Sequence, residues 1–475
     1  MSRRAAAPLT ERRFLLYGMG VTNTAVARAL VARGLVALLV DDGDPSRLQA
    51  VAADLGADLD ADTERPRTVH APDAARLAQL LDDVDAVIPA PGLPERHAVF
   101  AAAAAAGRPI LSEFDLAGAW DDRPVLAVPG TNGKTTVAPL VQSMLQQSGL
   151  ESAAVGNLET PLVEAIDDPA IDRFVVEASS FRLAHSRWFR PAVATWLNFA
   201  EDHLDVHESL EVYRAAKARI FADQGPGDVA VLNAEDPVVA ASLPAASLPG
   251  AEGPAVRRFG LAAETDGRAN DYHEDDGVLV GPDGEQIAVV ADLWSTLPHD
   301  RSNVLAAAAT ALAGGATLDG VRAALADFGG LAHRVQLIGE HDGVRWYDDS
   351  KATAPHATLA AVAGFTSVVL IAGGRNKGLD LATLADAGDV VTAVVGIGDA
   401  GEDVVAAFPD RRSQVAASMA EAVEAARSMA APGDVVLLSP GCASFDWYSS
   451  YAERGDDFTR LVRAEVLGVP PAGER

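Results

Sequence analysis

The sequence predicts an α/β protein built from three units in series. Three observations predict it. Short apolar runs alternate with helical stretches along almost the whole chain. Two of these runs, Phe14–Tyr17 and Val125–Val128, end directly in glycine-bearing turns that open helices. The chain has 475 residues, the length of roughly three ordinary domains.

The first unit is expected over residues 1–120. Its strand Phe14–Tyr17 leads through Gly18-Met19-Gly20 into a helix, Thr22–Arg33, and then a strand, Leu35–Val40, ending in Asp41-Asp42. This βαβ opening resembles a dinucleotide fingerprint, but Asn23 stands where a third glycine belongs, which argues against a nicotinamide cofactor. Asp41, about twenty residues beyond the glycines, is still placed to accept hydrogen bonds from a nucleotide's base or ribose. A strand at Ala86–Pro89 and an alanine-rich helix at 98–106 complete a Rossmann-like unit.

The second unit, 121–330, begins with the buried strand Val125–Val128 and the turn Gly130 to Thr136, with further strands at Phe174–Val176, Ala192–Leu197 and Val229–Leu232. Residues 243–295, rich in Pro, Gly, Asp and Glu, read as a small irregular β region, and 303–328 as one helical stretch. The whole predicts a P-loop ATPase-like parallel sheet. The third unit, 331–475, alternates strands at Arg345–Tyr347, Val368–Ile371, Ala393–Val395 and Val435–Leu438 with helices, a second Rossmann-like pattern; Gly468–Arg475 reads as an unstructured tail.

A formal charge of −29 makes a surface that repels nucleic acid and anionic lipid, so neither is expected as a partner. Met1–Arg13 has arginines but no apolar signal core, no apolar run approaches a membrane span, and the lone Cys442 cannot form an internal disulfide. The expectation is a soluble, cytoplasmic monomer. Of 38 lysines and arginines only four are lysines, at 134, 217, 351 and 377, and each falls inside a motif. A compact or reactive amine is what arginine cannot supply.

Gly130-Thr131-Asn132-Gly133-Lys134-Thr135-Thr136 follows a buried strand and opens a helix, the context a phosphate-binding loop requires. Small residues let backbone N–H groups close on phosphate oxygens, and the helix N-terminus favours negative charge. Lys134 would reach the terminal phosphates and the Thr135 hydroxyl would bind magnesium. Only two residues separate Gly130 from Gly133, a compressed form of the general pattern.

That compressed loop resembles the one in the Mur ligases and their folate-ligase relatives. Further matches follow in order: Gly156-Asn157; Glu177-Ala178-Ser179-Ser180-Phe181; Asn198 through His207; Tyr213 through Arg219; Leu331-Ala332-His333-Arg334; Asp349-Ser350-Lys351-Ala352-Thr353; Gly373 through Gly378; and Ser439 through Asp446. The resemblance to this family runs over about residues 14–463 and implies three domains, binding in turn a uridine-diphosphate substrate, ATP and an amino acid. It implies ATP and Mg2+ as cofactors. Phe181 after the Ser-Ser pair and the Ser-Pro-Gly-Cys-Ala-Ser-Phe-Asp run favour the branch that joins D-glutamate to UDP-N-acetylmuramoyl-L-alanine, with L-glutamate or a non-catalytic nucleotide sensor as alternatives.

By the same resemblance, Lys134, His203, Lys217 and Lys351 are the catalytic residues. Gly130 to Thr136, Asn303, His333, Arg334, Asp349 and Lys351 hold ATP. Thr135, Glu177, His203 and a carbamylated Lys217 serve magnesium. Val21, Thr22, Asp41, Asp42, Asn157 and Ser179 grip the uridine substrate. Thr353, Lys377, Ser444, Phe445 and Tyr451 receive the glutamate. Ala90, Glu159, Arg182 and Asp300 depart from the family pattern, Arg182 standing where a glutamine is usual.

Overall fold

The structure, a computed structural model, describes residues 9–57, 66–158, 160–204, 206–242 and 253–469. These pack into two compact units, the described parts of Met1–Leu293 with Ser302–Asp327, and of Trp294–Arg301 with Phe328–Arg475.

The first unit carries two parallel sheets. One has four strands in the order Arg67–His70, Val36–Asp41, Arg13–Tyr17, Ala86–Pro89. Leu15 pairs with Leu38 on one side and Val87 on the other. Helices cover both faces of such a sheet, so its inner strands are unbroken apolar runs rather than alternating ones. Asn23, the residue that breaks the glycine pattern, is fully buried, and its amide donates to the carbonyls of Tyr17, Gly18 and Ile88. A side chain that ties two strand ends together replaces the backbone approach a glycine would allow.

The second sheet has six strands in the order Ala255–Phe259, Val229–Asn233, Val193–Trp196, Val125–Val128, Arg173–Glu177, Ser152–Gly156. One continuous core, including Phe14, Phe114, Phe174 and Trp196, lies between elements of both sheets. Residues 253–295 differ from the expected irregular region in one respect: Ala255–Phe259 extends the parallel sheet beside Val229–Asn233. Beyond it come a short hairpin and a three-stranded antiparallel sheet, His273–Asp275, Val278–Val280 and Gln286–Val289. Residues 243–252, part of the same expectation, lie outside the described residues. The single helix expected over 303–328 is two, Pro298–Ala313 and Leu318–Asp327. Gly315 between them has φ +100°, a left-handed conformation that ends a helix.

The second unit is built on a six-stranded sheet ordered Gln336–His341, Val344–Asp348, Val435–Leu438, Val368–Gly373, Val391–Ile397, Arg412–Ala416. Only the first pair is antiparallel. Cores on its two faces centre on Trp346 with Phe458 and on Leu370 with Phe408. Three adjacent parallel strands end in the segments 349–353, 374–378 and 439–446, and ligands of open α/β sheets bind beyond such carboxyl ends. Of the expected tail, Gly468 and Val469 are described; 470–475 lie outside. No helix among the described residues is long and apolar enough to cross a membrane.

Candidate active site

The loop after Val125–Val128 is shaped by contacts on every side. Gly133 has φ +84°, and a Cβ there would lie 2.6 Å from Asn303 Oδ1, so only glycine fits. Asn198, just past the neighbouring strand Val193–Trp196, clamps the loop from beside. Its Oδ1 accepts from the backbone N–H groups of Thr131 and Asn132 at 3.0 and 2.8 Å, and its amide donates to Asn132 O. Thr131 Oγ1 meets Tyr213 Oη at 3.2 Å. Thr135 and Thr136 lie in the first turn of the helix Lys134–Gln147, with Thr136 buried.

Two lysines converge on one carbonyl of this loop. Lys134 Nζ donates to Gly130 O at 2.8 Å and Thr131 O at 3.0 Å; Lys217 Nζ donates to the same Gly130 O at 2.7 Å. Lys217 is only 1% exposed and lies 4.7 Å from the centre of the Tyr213 ring. Burial pushes its ammonium well below the usual lysine range; Lys134 pushes the same way, while Asp202 and Glu177 oppose. Such a shift makes the neutral, nucleophilic form of the amine easier to reach.

Glu177 ends the strand Arg173–Glu177 and is buried. Its Oε1 accepts from Asn157 Nδ2 at 2.9 Å, and its Oε2 is buried with no hydrogen-bond partner. Among the described residues no group of three His, Cys, Asp or Glu side chains is placed to hold a metal. The orphaned oxygen nonetheless fits magnesium, a hard cation that takes one or two carboxylates and fills its shell with water and phosphate oxygens. Ser179 Oγ is buried and unpartnered nearby in sequence. His203, in the left-handed region at φ +56°, sits 3.3 Å from Asp202 and edge-on to Phe181. Phe181 stacks in turn on His207, which is held by Glu95 and Ser180 at 2.9 Å each. Asp205, in the same motif, lies outside the described residues, as does Glu159.

On the first sheet, Asp41 accepts from Met19 N and Gly43 N, so its carboxylate braces the Gly18–Gly20 turn. Asp42 is held by Tyr17 Oη at 2.8 Å and His97 Nε2 at 3.1 Å. Val21 is exposed at the helix start and Thr22 beside it is buried.

In the second unit the three loops are laced together. Arg375 and Ala443 exchange backbone hydrogen bonds, and Gly441 N donates to Ala352 O. This gathers Lys351, Thr353, Lys377, Ser444 and Phe445 at one end of the sheet. Lys351 Nζ lies 5.1 Å above the Tyr451 ring. His333, at φ +60°, holds Asp348 at 2.6 Å, a bond that raises its pKa. Asp349 is buried and pushed up to about 7 by that burial, against the pull of Ser439 and Arg334. Asp300 is buried with His299 beside it.

Four residues that hold these loops were not singled out as site residues from sequence. Asn198 and Tyr213 carried a signal, since each opens a quoted motif. Arg182 stood out only as a departure. Arg454 had none: it is one arginine on the helix Tyr451–Leu461, yet it is buried and donates to Ser350 Oγ, Ser350 O and Cys442 O, joining two of the loops.

Known proteins resemble this chain over the same segments. Residues 128–311 match the Mur ligase middle domain and residues 333–442 the Mur ligase, glutamate ligase domain. A UDP-N-acetylmuramoylalanine–D-glutamate ligase of Frankia casuarinae is 42% identical over 95% of this chain and 93% of its own length. One of Desulfosudis oleivorans is 38% identical over 95% and 96%. Among solved structures, MurF from Acinetobacter baumannii shares the fold at a TM-score of 0.59 and 17% identity, covering 95% of this chain and 94% of that one.

Proposed function

The chain belongs to the Mur ligase family, and from that premise we propose that it joins D-glutamate to UDP-N-acetylmuramoyl-L-alanine, driven by ATP, in the cytoplasmic stage of peptidoglycan synthesis. The observation that carries this is the near-full-length identity to D-glutamate ligases, 42% and 38% over 95% of the chain.

The substrate's carboxylate attacks the γ-phosphorus of ATP, releasing ADP and forming an acyl phosphate. The amine of glutamate then adds to that carbonyl, loses a proton, and expels phosphate as the amide forms. Every group that develops charge on oxygen is an anion, so fixed cations are the main requirement. Lys134 stands at the loop that cradles the phosphates, and Lys351 and Lys377 stand on loops of the second unit. Magnesium, when bound, would neutralise phosphate oxygens. Glu177 would hold it through Oε2, with Thr135, His203 and Lys217 as further contributors, Lys217 as its carbamate. The buried, depressed amine of Lys217 favours that modification, because only a neutral amine adds to CO2. His203 is one acceptor for the proton of the incoming amine, a phosphate oxygen the other.

Asn303, His333, Arg334 and Asp349 hold ATP on this reading. Val21, Thr22, Asp41, Asp42, Asn157 and Ser179 hold the uridine substrate, and Thr353, Lys377, Ser444, Phe445 and Tyr451 the glutamate. The test is phosphate release from ATP with the nucleotide substrate and a panel of amino acids. Release that needs D-glutamate supports the proposal; release with L-glutamate alone changes the amino acid; no release with any amino acid overturns it.

A further inference from the structure

Arg182 occupies a position that neither the loop nor the phosphate chemistry requires, yet it is among the most tightly held side chains in the first unit. It is 7% exposed, and its three donor groups go to three different segments. Nε donates to Glu113 Oε1 at 3.0 Å, Nη1 to Asn157 Oδ1 at 3.1 Å, and Nη2 to Thr22 Oγ1 at 2.9 Å. Glu113 is itself buried, at the start of the helix Glu113–Trp120, and its other oxygen accepts from Val163 N at 3.0 Å. The guanidinium is thus anchored from behind by a carboxylate that cannot move away.

The consequence lies one residue further on. A guanidinium only donates, so the atom Asn157 turns toward it must be the amide oxygen. The Asn157 nitrogen then faces Glu177, whose Oε1 accepts from it at 2.9 Å. Both ends of the amide are therefore specified by chemistry. With Oε1 engaged, Glu177 Oε2 is the oxygen left buried without a partner. The cavity lined by Thr22, Pro91, Glu113, Phe181 and Arg182 is small, about 10 Å3, room for one water at most.

We propose that Arg182 is a positioning residue: through Asn157 it sets the carboxylate of Glu177 with one oxygen free for a divalent cation, and through Thr22 it ties that setting to the start of the helix Val21–Ala32. The inference rests on the reading that Glu177 serves the metal and Thr22 the nucleotide substrate. A glutamine at 182 could reach one of the three partners but not all of them, and it would leave Glu113 buried without a counter-ion.

The test removes both charges together, Glu113→Gln with Arg182→Gln, so that neither is stranded. Mn2+ binding is followed by electron paramagnetic resonance in the presence of a non-hydrolysable ATP analogue, and binding of UDP-N-acetylmuramoyl-L-alanine by calorimetry. Partners that orient a metal ligand typically change affinity by about 10- to 100-fold. The expected result is Mn2+ affinity weaker by at least about 10-fold in the folded double variant, with weaker nucleotide-substrate binding. Affinities within twofold of the unmodified protein would overturn the proposal and reduce Arg182 to the counter-ion of Glu113. If the double variant does not fold, Arg182→Lys, one ammonium in place of a three-way fork, is read the same way: a loss of about 3-fold or more sustains the proposal, and an unchanged curve overturns it. Neither readout involves the amino acid. Failure of the D-glutamate reading shows instead as absent phosphate release in the unmodified protein.

Discussion

The carbonyl of Gly130 and the carboxylates of Asp348 and Asp349 are both buried polar centres at the ends of parallel strands, and they are finished in opposite ways. Around Gly130 O two lysine amino groups share one neutral acceptor, and among the described residues Lys217 makes no ion pair. Around the aspartates each acid has its partner within the unit: His333 for Asp348, Ser439 and Val335 N for Asp349. The first centre thus turns two amines onto a single loop carbonyl, while the second ties each of its carboxylates into its own loops. Changes at the first should cost activity and little stability; changes at the second should cost stability.

The largest effect should come from Lys134→Ala. Phosphate release is expected to fall by about 10³-fold or more, with the urea midpoint nearly unchanged. A variant that loses activity and stability in parallel would erase the contrast between the two centres. Next, Lys217→Arg should lose at least about 100-fold in activity, because a guanidinium cannot form the carbamate and stays charged. In 13C-bicarbonate the unmodified protein should show a carbamate resonance that this variant lacks; the same resonance in both would rule out Lys217 as its source.

In the second unit, Arg454→Leu strands the carbonyls of Ser350 and Cys442 and should cost about 3 kcal/mol in urea unfolding. Asp349 gives a pH signature. Its proton is held more tightly folded than unfolded, since burial raises its pKa from 3.8 to about 7. The stability it contributes is complete at low pH and is lost as pH rises from about 4 to about 7. Asp349→Asn should flatten that decline, so denaturant midpoints at pH 5 and pH 8 should differ less than in the unmodified protein; an unchanged difference would show that Asp349 is not the group responsible. The smallest effect is at Phe445, 59% exposed, where alanine should leave stability within about 0.5 kcal/mol while raising the KM for glutamate.

What the sequence made legible follows the same physics. The inner strands, such as Val368–Gly373 with every residue buried, announce themselves as apolar runs. The strands missed or misassigned, Arg67–His70, Ser152–Gly156, Ala255–Phe259, Gln336–His341 and Arg412–Ala416, all lie at sheet edges. Arg412–Ala416 is exposed at four of five positions, so nothing in its composition marks it as a strand. The site divides likewise. Lys134 and Glu177 sit at strand ends that a pattern can find. Arg182, Glu113 and Thr22 are 160 residues apart at their widest and meet only in the fold. No spacing rule could join them.

The shared carbonyl has a further consequence. A carbonyl oxygen has two lone pairs, and at Gly130 two lysine amino groups from different helices donate to it. Turning the plane of one peptide group, between Gly130 and Thr131, would break both of those bonds in one motion, while Lys134 would keep its second bond, to Thr131 O at 3.0 Å. The same rotation would pull Thr131 N away from Asn198 Oδ1, so the Asn198 clamp is what keeps the shared carbonyl turned toward both lysines. The loop carries in that one peptide a latch with two hands on it.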